Sequence, residues 1–265
     1  RDVVEPAEAV AGRGIALDAA GNVFLAETGA HRVRKLTPEG VFTTVAGTGN
    51  SGFSGDGGPA ASAQISFPYG VALDTAGNIY IADWGNRRVR KVGSDGIIST
   101  IAGNGDDRFS ADGVPATSAG ITAYGVAVDA AGNVLIADGL NYRIRKIDSS
   151  GRIITIAGTG ARDINGSGGD GGLASVARVY FPQGVAAEAS GNVLIADTLG
   201  NRIRKIDSQG IITTVAGIGI YNGDGLATAS QLNFPQGLTT DGAGNVYIAD
   251  VSNNRVRKVT TAGLM

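Results

Sequence analysis

The chain has 265 residues, enough to bury a large core without staples, and it contains no cysteine, which removes disulfides and thiolate metal sites. Its 22 Lys and Arg against 24 Asp and Glu leave a net charge of -2, and no apolar run reaches the roughly 18 residues of a membrane span. Neither nucleic acid nor membrane insertion is therefore expected as a partner, and the abundant glycine (43 residues) suits short strands joined by tight turns.

The chain begins at Arg1 with no signal peptide, so it reads as a mature form or an excised domain. Asp2-Val3-Val4 comes first, followed by Pro6-Ala7-Glu8-Ala9. At Gly14 a stretch begins that returns at Gly70, Gly125, Gly184 and Gly237. Its clearest copy, Gly70 to Val92, is Gly-Val-Ala-Leu-Asp-Thr-Ala-Gly-Asn-Ile-Tyr-Ile-Ala-Asp-Trp-Gly-Asn-Arg-Arg-Val-Arg-Lys-Val. The Gly-Asn pairs start at Gly21, Gly77, Gly132, Gly191 and Gly244, in steps of 56, 55, 59 and 53 residues. A period of that size marks a solenoid, propeller or array. One domain, 1–265, follows, with repeats near 14–69, 70–124, 125–183, 184–236 and 237–265 plus 1–5.

Each repeat reads as four strands, in the second copy Gly70–Asp74, Asn78–Ala82, Arg88–Val92 and Ile97–Ala102, with β-branched residues and alternating or continuous apolar character. Asp74-Thr75-Ala76-Gly77 supplies a type I turn closed by a left-handed glycine, and Gly93-Ser94-Asp95-Gly96 is equally tight. No segment is long enough for a helical crossover. The expectation is an all-β fold, a β-propeller of four-stranded antiparallel blades. The last repeat stops after its third strand, so Asp2–Val4 is expected to supply the missing outer strand and close a ring of five blades. Strand parity puts the first and third joints on one face of the disc. The second joint and the blade-to-blade linker, about 20 residues long, lie on the other, where binding is expected.

Three features of the repeat carry chemistry. Fifteen of the 22 basic residues lie in five Arg-x-Arg-Lys motifs, the first at Arg32/Arg34/Lys35, and each has a carboxylate five residues upstream: Glu27, Asp83, Asp138, Asp197 and Asp250. An ion pair within each repeat is the plain reading. Were those carboxylates instead to turn toward the channel, they could hold a cation for a metal-dependent lyase or hydrolase at its mouth. The linkers carry Asp-Gly turns at Asp56, Asp112, Asp170 and Asp224, and Asp163-Ile164-Asn165 precedes the third. Turn chemistry accounts for these residues, with calcium as the alternative. Finally, the residue before each repeat's first glycine is Arg13, Tyr69, Tyr124, Gln183 or Gln236. That ring should surround the channel mouth, with the sole tryptophan, Trp84, nearby. Two Tyr, two Gln, an Arg and a Trp can stack on or hydrogen-bond a sugar or peptide. Packing among neighbouring loops is the alternative.

The pattern Gly-[Val/Ile/Leu]-Ala-x-Asp-x-x-Gly-Asn, then Ala-Asp and Asn-x-Arg-[Val/Ile]-Arg-Lys, resembles the NHL repeat. With linkers such as Phe53-Ser-Gly-Asp-Gly-Gly-Pro-Ala it is similar to the NHL repeats of bacterial surface and secreted proteins and of teneurins. The resemblance implies a β-propeller, although many NHL propellers have six blades and five are counted here. Members bind proteins or RNA, serve as sensor domains of receptor kinases, or act as a peptide-amidating lyase. That lyase needs several histidine ligands to zinc, and this chain has only His31. Since the family is divided in function, the residues themselves lead to the expectation of a non-catalytic propeller, monomeric as a domain, without a required cofactor, at the cell surface or outside the cell. Its partner would be a protein or glycan. A purely structural module of a larger surface protein is the third reading.

Overall fold

A computed structural model describes residues 12–161, 168–217 and 225–265. Blade 1 is built from β1 (Gly12–Leu17), β2 (Val23–Glu27), β3 (Arg32–Leu36) and β4 (Phe42–Ala46). Blade 2 has β5 (Pro68–Leu73), β6 (Ile79–Asp83), β7 (Arg88–Val92) and β8 (Ile98–Ala102). Blade 3 has β9 (Ala123–Val128), β10 (Val134–Asp138), β11 (Arg143–Ile147) and β12 (Ile153–Ala157). Blade 4 has β13 (Pro182–Ala187), β14 (Val193–Asp197), β15 (Arg202–Ile206) and β16 (Ile212–Ala216). Blade 5 has β17 (Pro235–Thr240), β18 (Val246–Asp250) and β19 (Arg255–Val259). Each sheet is an antiparallel meander, innermost strand first. The molecule is the all-β, five-bladed propeller that the sequence predicts.

The joints show why these residues make hairpins. Asp74 accepts the Gly77 N–H on its carbonyl (3.1 Å) and the Ala76 and Asn78 N–H groups on Oδ1 (3.0 and 2.9 Å), while Gly77 takes φ +81° and its counterparts Gly132 and Gly191 +80° and +89°. The third joint meets the first through Ser94 N–H to Asn78 Oδ1 (3.2 Å), so both lie on one face as parity requires.

The core is a set of seams between blades. Alternation gives each blade a forward face of small and mixed residues and a backward face of branched aliphatics. Ala72, Tyr80, Ala82 and Val89 of blade 2 meet Val126, Val134, Ile136 and Ile153 of blade 3. Ala116, Ala119 and Ile121 of the linker seal the outer part. The same scheme joins blades 1 and 2, 3 and 4, and 4 and 5. Fully burying one such aliphatic stabilises the fold by about 1.5–3 kcal/mol, so the seams outweigh any single polar contact.

Near the axis the innermost strands pack in series, β1 on β5, β5 on β9, β9 on β13 and β13 on β17. The repeat's first glycine allows that approach: a Cβ on Gly14 would lie 2.6 Å from the Tyr69 carbonyl, and one on Gly125 2.6 Å from that of Gln183. Among the described residues the series stops at blade 5, where a Cβ on Gly237 would meet nothing nearer than Ala249 of its own blade, at 3.8 Å. Leu264 bridges to Leu226 as Ile97 does to Pro59, so Leu264–Met265 begin an outer strand for blade 5. The expected closure by Asp2–Val4 falls on residues outside the described ones.

Candidate functional site

The second joints and the ends of the linkers lie together, as parity requires. The Gly85 N–H donates to the Ser66 carbonyl (2.8 Å), and the Leu199 and Ser252 N–H groups donate likewise to Tyr180 and Asn233 (3.1 and 3.0 Å). Each linker but the second ends in Phe-Pro-x-Gly, and its phenylalanine sits in the left-handed region: Phe67 at φ 45°, Phe181 at 55° and Phe234 at 56°. This conformation costs a non-glycine residue roughly 1–3 kcal/mol, so surrounding contacts must hold it. At Phe67 the N–H donates to His31 Nδ1 (3.1 Å), and at Phe234 to Asn201 Oδ1 (2.8 Å).

These turns aim aromatic rings at one another across blades 1 to 4. His31 meets Phe67 edge-on at 4.5 Å between centroids, and Phe67 lies 6.3 Å from Trp84. Trp84 lies 5.0 Å from Tyr69 and 5.8 Å from Tyr124, the two tyrosines are 5.3 Å apart, and Phe181 is 5.1 Å beyond Tyr124. The guanidinium of Arg13 covers the Tyr69 ring at 4.6 Å. Each such pair is worth about 0.5–1.5 kcal/mol beyond its burial. The Trp84 indole N–H is buried without an acceptor at full hydrogen-bond geometry. Burial pushes the Tyr124 hydroxyl up, and the nearby Trp84 side chain offsets part of that shift.

Of the expected site residues, Arg13, Tyr69, Trp84 and Tyr124 come together as one cluster, in which Tyr124 is buried. Gln183 and Gln236 continue the row, half-buried, with their carbonyls against Gly125 and Gly184. Sequence reasoning missed Phe67, Phe181 and His31. The recurring Phe-Pro-x-Gly was the signal available for the two phenylalanines.

The basic motif does something different. In blades 2 to 5 the second arginine reaches the upstream carboxylate: Arg90–Asp83 at 3.4 Å, Arg145–Asp138 at 3.6 Å, Arg204–Asp197 at 3.8 Å and Arg257–Asp250 at 3.1 Å. In blade 1 Glu27 takes both Arg32 and Arg34. Arg90, Arg145 and Arg204 are fully buried in the seams and also bind the linker carboxylates Asp56 (2.7 Å), Asp112 (3.0 Å) and Asp170 (2.6 Å). Those three carboxylates further accept from Thr100 (2.7 Å), Thr155 (2.9 Å) and Thr214 (2.6 Å). The Asp-Gly turns considered for calcium thus have oxygens occupied by arginine and threonine; Asp163, Asn165 and Asp224 lie outside the described residues. Among the described residues no three His, Asp or Glu converge on a point that could hold a metal ion.

Burial pushes the Asp83 carboxyl up to about 6, against the pull of the Asn86 amide, the Ser66 N–H and Arg90. At Asp170 burial also raises, but Thr214 and Arg204 outweigh it and hold the carboxyl below its ordinary value. The first arginine lies over a linker ring: Arg88 and Arg90 flank Phe53 (3.8 and 4.9 Å), and Arg143 and Arg145 flank Phe109 (3.7 and 4.8 Å). A separate cleft of about 640 Å³ opens on the short-turn face between blades 4 and 5, lined by Glu188, Lys205, Asp241 and Thr260. None of the expected site residues reaches it.

Comparison with known proteins agrees with this fold. A profile of the "Teneurin NHL domain" family matches residues 48–119 and 162–221, and one of the "NHL repeat" matches 232–259. Teneurin-3 of Mus musculus is 29% identical over 91% of this chain, which spans 10% of that protein. "Protein SUPPRESSOR OF QUENCHING 1, chloroplastic" of Arabidopsis thaliana is 26% identical over 93% of this chain and 24% of its own length. Among solved structures, a streptogramin B lyase superposes with a TM-score of 0.58 at 16% identity, over 95% of this chain and 66% of the lyase. At that identity the likeness is one of fold alone. The chain thus spans only a small part of the curated relatives it matches.

Proposed function

This chain is an NHL-repeat β-propeller of the teneurin type, and from that premise we propose that it is a non-catalytic binding module. Its long-loop face takes a protein segment or a glycan. The observation that carries this reading is the aromatic row from His31 to Phe181, held in place by left-handed phenylalanines at linker ends. A row of rings meeting edge-on or tilted and capped by Arg13 presents apolar ring surface beside polar edges, the chemistry that sugars and extended peptides use. Nothing comparable supports the lyase or hydrolase reading, because the recurring carboxylates are engaged by buried arginines. The teneurin likeness favours a place at the cell surface or outside the cell, while the Arabidopsis relative is chloroplastic by name. No helix among the described residues is long and apolar enough to cross a membrane.

Trp84 is the only tryptophan, so its emission reports on this face alone. A panel of glycans and peptides should contain a ligand that shifts that emission. At about a hundred times its dissociation constant it should add roughly 2.7 kcal/mol of stability. Replacing Tyr69 with Ala should abolish both effects. A panel that leaves emission and melting unchanged, or a ligand whose binding survives Tyr69→Ala and Tyr124→Ala together, removes the proposal.

A further inference from the structure

The left-handed turns at Phe67 and Phe234 are held in the same way, each by the residue that closes the second joint of the preceding blade. At Phe234 the acceptor is Asn201 Oδ1, an amide oxygen that does not titrate. At Phe67 it is His31 Nδ1, 3.1 Å from the amide nitrogen. A ring nitrogen accepts an N–H only while it carries no proton of its own. The imidazole also meets the Phe67 ring edge-on at 4.5 Å, so one side chain restrains both backbone and ring. On either side the chain is pinned independently of His31. Asp83 Oδ1 takes the Ser66 N–H (2.7 Å), the Gly85 N–H donates to the Ser66 carbonyl (2.8 Å), and the Thr28 hydroxyl donates to the Pro68 carbonyl (2.8 Å). Phe67 is thus a strained residue between two fixed points, with His31 as its own restraint.

We propose that His31 is a proton-operated latch on the aromatic row. With the imidazole neutral, Nδ1 holds Phe67 in the left-handed region, with its ring 6.3 Å from Trp84. When the imidazole takes a second proton, an Nδ1–H faces the Phe67 N–H, donor against donor, and the bond is lost. The turn then relaxes and the row shortens at its blade 1 end. Histidine makes this change between about pH 5 and 8. Among the described residues, the charged groups on the elements around it are few. In its own hairpin Glu27 binds Arg32 and Arg34, and Lys35 lies toward the end of β3. Arg13 of β1 covers the Tyr69 ring, and residues 47–52 of the linker carry no charge. In blade 2, Arg87 pairs with Asp107, and Asp83 binds Asn86 and Arg90 as well as Ser66. Asp83 is the one that titrates in the same window, since burial pushes its carboxyl up to about 6. The latch belongs to the unliganded fold. Its consequence rests on the reading of this face as a binding surface: a partner held near neutral pH is released in acid.

The chain has one histidine and one tryptophan, so each signal has a single source. Nitrogen-15 spectra of the imidazole at about pH 8 should show the Nε2–H tautomer, with Nδ1 bare. Between about pH 8 and 5, Trp84 emission of the ligand-free chain should move in a step that coincides with protonation of the imidazole. His31→Asn installs the acceptor that blade 4 already uses at its own left-handed position. That variant should melt as the parent does, keep the emission seen at about pH 8 and lose the step. Whatever Asp83 contributes persists in His31→Asn and is subtracted. An Nδ1–H tautomer at about pH 8 overturns the proposal, and so do superimposable emission curves for the parent chain and His31→Asn. None of these readings needs a ligand, so failure of the latch and failure of the binding reading are told apart.

Discussion

Blade 3 and blade 1 are built from the same repeat, yet among the described residues one is buried on both faces and the other on one. Ile136 and Arg145 are fully buried, whereas their counterparts Leu25 and Arg34 are only half-buried. Burial here is a property of the seam rather than of the strand. The repeat prepares both faces of every blade identically, and only neighbours decide which of them contribute to stability.

That contrast is open to measurement, starting where the effect should be largest. Arg145→Met strands the buried Asp138 carboxylate and frees Asp112, so denaturant titration should show a loss of about 3–5 kcal/mol. Arg34→Met leaves Glu27 with Arg32 on a partly open face and should cost on the order of 1 kcal/mol. Equal losses would mean that blade 1 is flanked in solution. For the apolar side, Ile136→Ala should cost roughly 3–4 kcal/mol and Leu25→Ala about a third of that, since only the first leaves a closed cavity.

At the axis, Gly125→Ala drives a methyl group into the Gln183 carbonyl and should cost about 2 kcal/mol or more, while Gly237→Ala should stay within about 0.5 kcal/mol. A large penalty at Gly237 would indicate a ring closed against blade 1.

The smallest effects are those of pH, and they run in opposite directions. Asp83 keeps its proton in the fold up to about 6 but releases it near 3.8 when unfolded, so its contribution is complete below about pH 4 and is lost as pH rises toward 6. Asp241 is held down to about 2 by the Asn245 side chain and backbone, so its contribution is present above about pH 4 and lost as pH falls toward 2. Urea midpoints followed from pH 2 to 7 should lose the upper slope in Asp83→Asn and the lower one in Asp241→Asn.

What the sequence made legible was local. Five repeats, four strands and the faces of the joints follow from a period of two and from Asp and Gly at turns, signals that act over a few residues. The aromatic row was legible in part, because Tyr69 and Tyr124 hold equivalent positions that face the axis. Its extension through Phe67 depends on a left-handed backbone stabilised by His31, 36 residues away, which no spacing rule announces. The ion pair within each repeat was legible, but which of the two arginines makes it was not. Asp83 pairs across the strand with Arg88, but the linker brings Asp56 to Arg90. That choice is made by a loop folding back over the seam, 34 residues from the arginine it meets.

The staple formed by Arg90, Arg145 and Arg204 also bears on kinetics. The linker carboxylate that each arginine holds also accepts from an outer-strand threonine of the arginine's own blade, so three of the loops behind the aromatic row are anchored before any ligand arrives. A partner meeting this face need not wait for a loop to order, and little conformational entropy is lost on contact. Association should then proceed at rates typical of rigid docking, about 10⁵–10⁷ M⁻¹s⁻¹, and differences among ligands should appear in how long they stay.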